Sequence, residues 1–118
     1  MHTVIIIDDS KTSRSVLRNI LEAHNYEVVA EAENGEEGFE KYQEFQPDFV
    51  TLDITMPIMD GIETLVKIKE YNPAATVIMV TAAGQKHKML EAIKLGAAEF
   101  VTKPFETEQI ISILESIE

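Results

Sequence analysis

Apolar positions along the chain follow two alternating rhythms. Thr3–Ile7 and Val77–Val80 are nearly unbroken runs rich in β-branched residues, the pattern of strands buried on both faces. Phe49–Leu52 reads the same way, and Phe100–Thr102 is a shorter version bounded by Gly96 before and Pro104 after. Tyr26–Ala32 is less uniformly apolar, and Glu27 and Glu31 within it suit the edge of a sheet. The segments between these runs have helical spacing. The first follows Ser10, an N-cap candidate, and sets Val16, Leu17, Ile20 and Leu21 on one face. The second runs from Glu36 to Phe45, with Phe39 and Tyr42 three apart, and stops before Pro47. The third covers Gly61–Tyr71, with Ile62, Leu65, Ile68 and Lys69 on one side. The fourth spans Lys86–Leu95 and ends at Gly96, while the fifth starts near Thr107 and uses Ile110, Ile111 and Leu114.

Strand and helix alternate five times, which predicts a parallel sheet with helices on both faces. An eight-unit barrel needs about twice this length, so the expectation is an open, doubly wound α/β sheet. The 118 residues, 45% hydrophobic and 26% charged, suit one domain over residues 1–118 with its own core. Cysteine is absent, which removes disulfides, thiolate metal sites and cysteine nucleophiles. His2, His24 and His87 have no ligand spacing. Twenty-one acidic residues against ten basic ones give a net charge of -11, which speaks against a nucleic-acid partner. The longest aliphatic run, Val4–Ile7, is too short to span a membrane and lacks the flanks of a signal peptide, so no membrane association and a cytoplasmic location are expected.

Candidate chemistry follows from the topology. In an open α/β sheet, ligands sit beyond the carboxyl ends of the strands. Those ends carry Asp8-Asp9, Asp53, Thr81 and Lys103, whereas Glu33-Asn34-Gly35 after the second strand reads as an ordinary turn. Three carboxylates on one edge repel one another unless a cation intervenes. Mg²⁺, an oxygen-seeking ion that keeps several waters, and the Lys103 ammonium both meet that need. A hydroxyl, a lysine and a divalent ion around one carboxylate also describe a phosphoryl-binding site. Met56, Met59, Met79 and Met89 read as packing and loop residues.

The segments IIIDDS, TLDITMPIMDG, VTAAG and VTKPF, in this order, resemble the receiver domain of two-component response regulators. The resemblance covers essentially the whole chain. It implies a (βα)5 flavodoxin-like fold with strand order 2-1-3-4-5. It also implies that Asp53 accepts a phosphoryl group from a histidine kinase. Asp9, Asp53 and the Thr55 carbonyl would hold Mg²⁺, with Asp8 reaching it through water. Lys103 would bind phosphoryl oxygens, Lys103-Pro104 would be a cis peptide, and Thr81 would swing toward the phosphate. Ala82 would leave room for it, and Phe100 would turn inward behind Thr81. Met56-Pro57 and Gly61 would shape the loop carrying the ion-binding carbonyl. Phe100 lacks the hydroxyl of the tyrosine often found there, and Thr55 and Ala83 occupy positions that tune phosphate lifetime.

The function so implied is a switch, not an enzyme with a separate substrate, and without an output domain of its own. Chemotaxis, with control of the flagellar motor switch, is the leading expectation; a phosphorelay intermediate serving a histidine phosphotransferase is the alternative. Expected partners are the kinase, an output target on the helix 4–strand 5–helix 5 face, where Lys86, Lys88 and Lys94 add charge, and a phosphatase. The working state is expected to be a monomer. An aspartate-nucleophile phosphatase would place a second carboxylate where Thr55 stands. A flavodoxin-type binding module would suffer repulsion between Asp8-Asp9 and a cofactor phosphate.

Overall fold

β-Branched runs flanked by amphipathic segments fold as the periodicity predicts. The computed structural model describes residues 1–118. The elements are β1 (His2–Ile7), α1 (Lys11–Ala23), β2 (Tyr26–Ala32), α2 (Gly35–Phe45), β3 (Phe49–Leu52), α3 (Gly61–Tyr71), β4 (Val77–Ala82), α4 (Lys86–Lys94), β5 (Glu99–Lys103) and α5 (Thr107–Ser116). All neighbouring strands are parallel, and the sheet order is β2-β1-β3-β4-β5. β4 and β5 run further than expected, because Thr81 pairs with Thr102 and Ala82 with Lys103. Thr81 and Lys103 therefore sit on the last rungs of the sheet rather than after it.

Strand alternation divides the core in two. Ile5, Ile7, Val50, Leu52, Val77 and Met79 face α2, α3 and α4, where Tyr42, Leu65, Ile68, Met89 and Ala92 meet them. Val4, Ile6, Phe49, Ile78 and Val101 face the other way, onto Leu17 and Leu21 of α1 and Ile110, Ile111 and Leu114 of α5. Fully burying each such side chain stabilises the fold by about 1.5–3 kcal/mol. No helix is long and apolar enough to cross a membrane.

Two details depart from the sequence reading. Val16 is 51% exposed although its spacing placed it on the buried face of α1. It lies on the rim of a 230 Å³ crevice between α1 and the segment after β5, with Leu17, Val80, Pro104 and Phe105 as fellow lining residues. The second departure is a β-bulge. Val4 pairs with Val28 but Ile5 pairs with Ala30, so Val29 is an extra residue on β2. Tyr26 and Val28 accordingly face α1, whereas Val29, Ala30 and Ala32 face the α2 side. Glu31, paired with Ile6, is turned toward α1 instead of standing free at the edge.

Candidate functional site

Sheet pairing continues one residue past β1 and β3. The Asp8 amide donates to the Ala32 carbonyl at 3.0 Å, and the Asp53 amide donates to the Ile7 carbonyl at 2.9 Å. Both aspartates are thus fixed by the sheet at its carboxyl edge, where the topology places ligands. Asp8 and Asp53 are buried, at 6% and 9% exposure, while Asp9 is exposed. One carboxylate oxygen from each of Asp8, Asp9 and Asp53 lies within 4.8 Å of the others. Three hard oxygen donors that close fit a small divalent cation such as Mg²⁺.

Lys103 reaches this cluster from the last rung of β5. Its ammonium lies 2.6 Å from Asp8 Oδ2 and 3.5 Å from Asp53 Oδ2, with Ser13 Oγ at 3.4 Å. The short contact goes to Asp8, not to Asp53. Burial disfavours the charged amine, but the Asp8 hydrogen bond and the two carboxylate charges outweigh it, and the Lys103 pKa stands above its ordinary value. For Asp53 burial dominates and raises the carboxyl pKa. Lys103 opposes that rise, Asp8 adds to it, and the Ile54 amide, donating to Oδ1 at 2.7 Å, and the Thr81 hydroxyl lower it again.

The loop after Asp53 is drawn tight. Asp60 caps α3 by accepting from the Glu63 amide at 2.9 Å, and the Gly61 amide donates to the Ile54 carbonyl at 2.7 Å. A Cβ on Gly61 would lie 2.0 Å from the Asp53 carbonyl oxygen, so only glycine permits this approach. Ile58 in the same loop holds φ 69° and is 75% exposed. Thr55 is exposed and Met56 buried.

The remaining expected residues fall around this centre. Thr81 is buried on β4, Ala82 beside it is exposed, and Lys103-Pro104 is a cis peptide. Phe100, 38% exposed, lines a 350 Å³ groove with Ala83, Gly84, Lys86, Met89, Leu90 and Thr102. Asn34, read as part of a turn, caps α2 by accepting from the Glu37 amide at 2.8 Å.

Two residues escaped the sequence reading. Ser13 stands beside Lys103, and Arg14 donates from Nη1 to the Asp8 carbonyl at 2.7 Å and from Nε to Glu31 at 3.0 Å. The signal was present: α1 opens with Lys11 and Arg14 and has no acid in its first turn. A cation there opposes the helix dipole and marks a partner elsewhere.

Comparison with known proteins accords with this geometry. The family model described as a response regulator receiver domain matches residues 4–115. The chemotaxis protein CheY of Listeria monocytogenes is 48% identical over 115 residues, covering 98% of this chain and 97% of the relative. The protein of the same name from Bacillus subtilis is 44% identical, covering 96% and 94%. Among solved structures, the chain is similar to one from the CheX–CheY–BeF3–Mg²⁺ complex of Borrelia burgdorferi. The TM-score is 0.94 at 35% identity, covering 98% of this chain and 88% of that one. With the acidic cluster, the terminal lysine and the strand order all in place, the chain belongs to the receiver-domain family of two-component response regulators.

Proposed function

We propose that this chain is a phosphorylation-controlled switch of the chemotaxis type, with Asp53 as phosphoacceptor. One juxtaposition carries the reading: a buried carboxylate whose pKa is raised by burial, with two further carboxylates and a lysine around it. The Asp53 oxygen that lacks the Ile54 donor attacks the phosphorus of a phosphohistidine on the kinase. A P–O bond forms, the P–N bond breaks, and its electron pair returns to the imidazole, which takes a proton from solvent. Asp8, Asp9, Asp53 and the Thr55 carbonyl would hold Mg²⁺, which supplies positive charge against the phosphoryl oxygens. Lys103, shared between Asp8 and Asp53, is near enough to transfer its hydrogen bond to the incoming group, and Thr81 donates a second. Crystallisation of the Borrelia relative with BeF3 and Mg²⁺ supports the same chemistry here.

The output follows from Thr81 and Phe100. When Thr81 is drawn to the phosphate, Phe100 leaves its surface groove and packs inward, changing the α4–β5–α5 face. Exposed Leu90 in that groove, with Lys86 beside it and Ile93, Leu95 and Lys88 elsewhere on or just after α4, suits an acidic amphipathic partner segment such as a motor-switch protein would present. The test is labelling by acetyl phosphate with Mg²⁺. The parent should take up one phosphoryl group per chain and Asp53→Asn none; stoichiometric labelling of Asp53→Asn would refute the assignment. Amide NMR with beryllofluoride and Mg²⁺ should show changes between Ala82 and Glu106, and changes confined to α1 and α2 would refute the output face.

A further inference from the structure

Asp8 is gripped at four points. Its amide donates to Ala32, its Oδ1 accepts from the Ser10 amide at 2.9 Å, its Oδ2 holds Lys103, and its main-chain carbonyl accepts from Arg14. Asp9, next in the chain, takes part in none of these bonds. The Asp8 carbonyl and the Asp9 amide form one rigid plane, so the direction of that carbonyl sets the direction in which Asp9 leaves the strand. Arg14 therefore acts on Asp9 through the peptide between them.

The guanidinium is itself held. Its Nε donates to Glu31 Oε1, and the other Glu31 oxygen accepts from Arg18 Nη1 at 2.6 Å. The Arg14 side chain is only 13% exposed. Burial raises the Glu31 pKa less than its bonds to Arg18 and Arg14 lower it, so it stays a carboxylate at neutral pH. Glu31 reaches α1 because the bulge at Val29 turns it to that face.

We infer that Arg14, braced by Glu31, is a positioning residue that orients the Asp8–Asp9 peptide so that Asp9 faces Asp53. This rests on the reading of Asp8, Asp9 and Asp53 as a cation site. Charge and geometry predict opposite signs. A cation near a cation site weakens metal binding, so if Arg14 acted by charge its removal would tighten Mg²⁺. If it acts by orientation, its removal loosens Mg²⁺, by about tenfold on the scale of outer-shell substitutions.

The experiment titrates Mg²⁺ calorimetrically into the full chain, as parent, Arg14→Met, Arg14→Lys and Glu31→Gln, with circular dichroism confirming the fold of each. Arg14→Met should bind about tenfold more weakly. Arg14→Lys should also bind more weakly, since it keeps the charge but loses the two-armed grip. Glu31→Gln should shift in the same direction, but losing an anion weakens Mg²⁺ by charge as well, so the charge-conserving Arg14→Lys decides the matter if Arg14→Met fails to fold. Unchanged or tighter Mg²⁺ binding in folded Arg14→Met, or in Arg14→Lys where Arg14→Met does not fold, overturns the inference and leaves the cation site standing. A parent that binds no Mg²⁺ at millimolar concentration overturns the cation site and the inference with it.

Discussion

Asp53→Asn should make the metal-free protein more stable at neutral pH. The Asp53 carboxylate has Asp8 and Asp9 oxygens within 4.8 Å and the Lys103 ammonium at 3.5 Å. At an effective dielectric of about 20, Asp8 repels it by at least about 3.5 kcal/mol and Lys103 attracts it by about 5. Exposed Asp9, screened by water, adds at most about 1 kcal/mol of repulsion. These charges nearly cancel. What remains is the cost of burial, offset in part by the Ile54 amide, and a net penalty of about 1–2 kcal/mol is the expected scale. Asparagine keeps the shape and can still accept from Ile54, and Lys103 keeps its 2.6 Å partner Asp8, so no charge is orphaned. Because folding raises the Asp53 pKa, its penalty is absent when both states are protonated. It grows as pH rises from the ordinary carboxylate value toward the raised one, and is full above that. Urea unfolding in chelator should therefore favour Asp53→Asn by about 1–2 kcal/mol at pH 7.5, with the advantage shrinking toward pH 4. A variant less stable than the parent at pH 7.5 would mean that the Lys103 attraction outweighs burial, and the strained-carboxylate account would fail.

Other perturbations test the surrounding structure. Thr51 Oγ1 on β3 is buried with no hydrogen-bond partner, so Thr51→Val should raise the urea midpoint, by about 1 kcal/mol or more in stability. Ile58 is a β-branched residue at φ 69°, and Ile58→Asn should gain about 1 kcal/mol in the same assay with little loss of packing, since the side chain is largely exposed. Gly61→Ala must move the Asp53 carbonyl, and should cost about 2–4 kcal/mol and slow acetyl-phosphate labelling together; an unaltered labelling rate would separate the loop from the site.

The alternation of strands and helices and the acidic edge were readable because each rests on local pattern, whereas the spatial order of the strands came from the resemblance to receiver domains. Runs such as Val4–Ile7 and Val77–Val80 declare two-faced burial, and the residue ending a parallel strand reaches the ligand edge whatever the details of packing. Features set by distances between remote side chains were not readable. Lys103 could have favoured Asp53, and its choice of Asp8 depends on a difference of about an ångström. Val16 shares its helical face with Leu17 and Ile20, but it meets the crevice beside Pro104 and Phe105 and stays at its rim, which periodicity does not encode. The bulge left a trace in the order Val28-Val29-Ala30, where three successive apolar residues break strict alternation, but such a run also fits a strand buried on both faces.

That extra residue has a consequence for how the chain tolerates changes in length. Losing a residue from a strand ordinarily inverts the inside and outside of everything beyond it. Val29 is an exception, since the partner strand already skips it: Val28 stays opposite Val4, and Ala30 through Ala32 stay opposite Ile5 through Ile7. Deleting Val29 leaves β2 a plain strand with Glu31 still facing α1, at the cost of one half-buried side chain. β2 thus contains one position at which related sequences can shorten by a residue without inverting the strand, and an alignment of relatives that allows no gap there would misplace every β2 residue on one side of it.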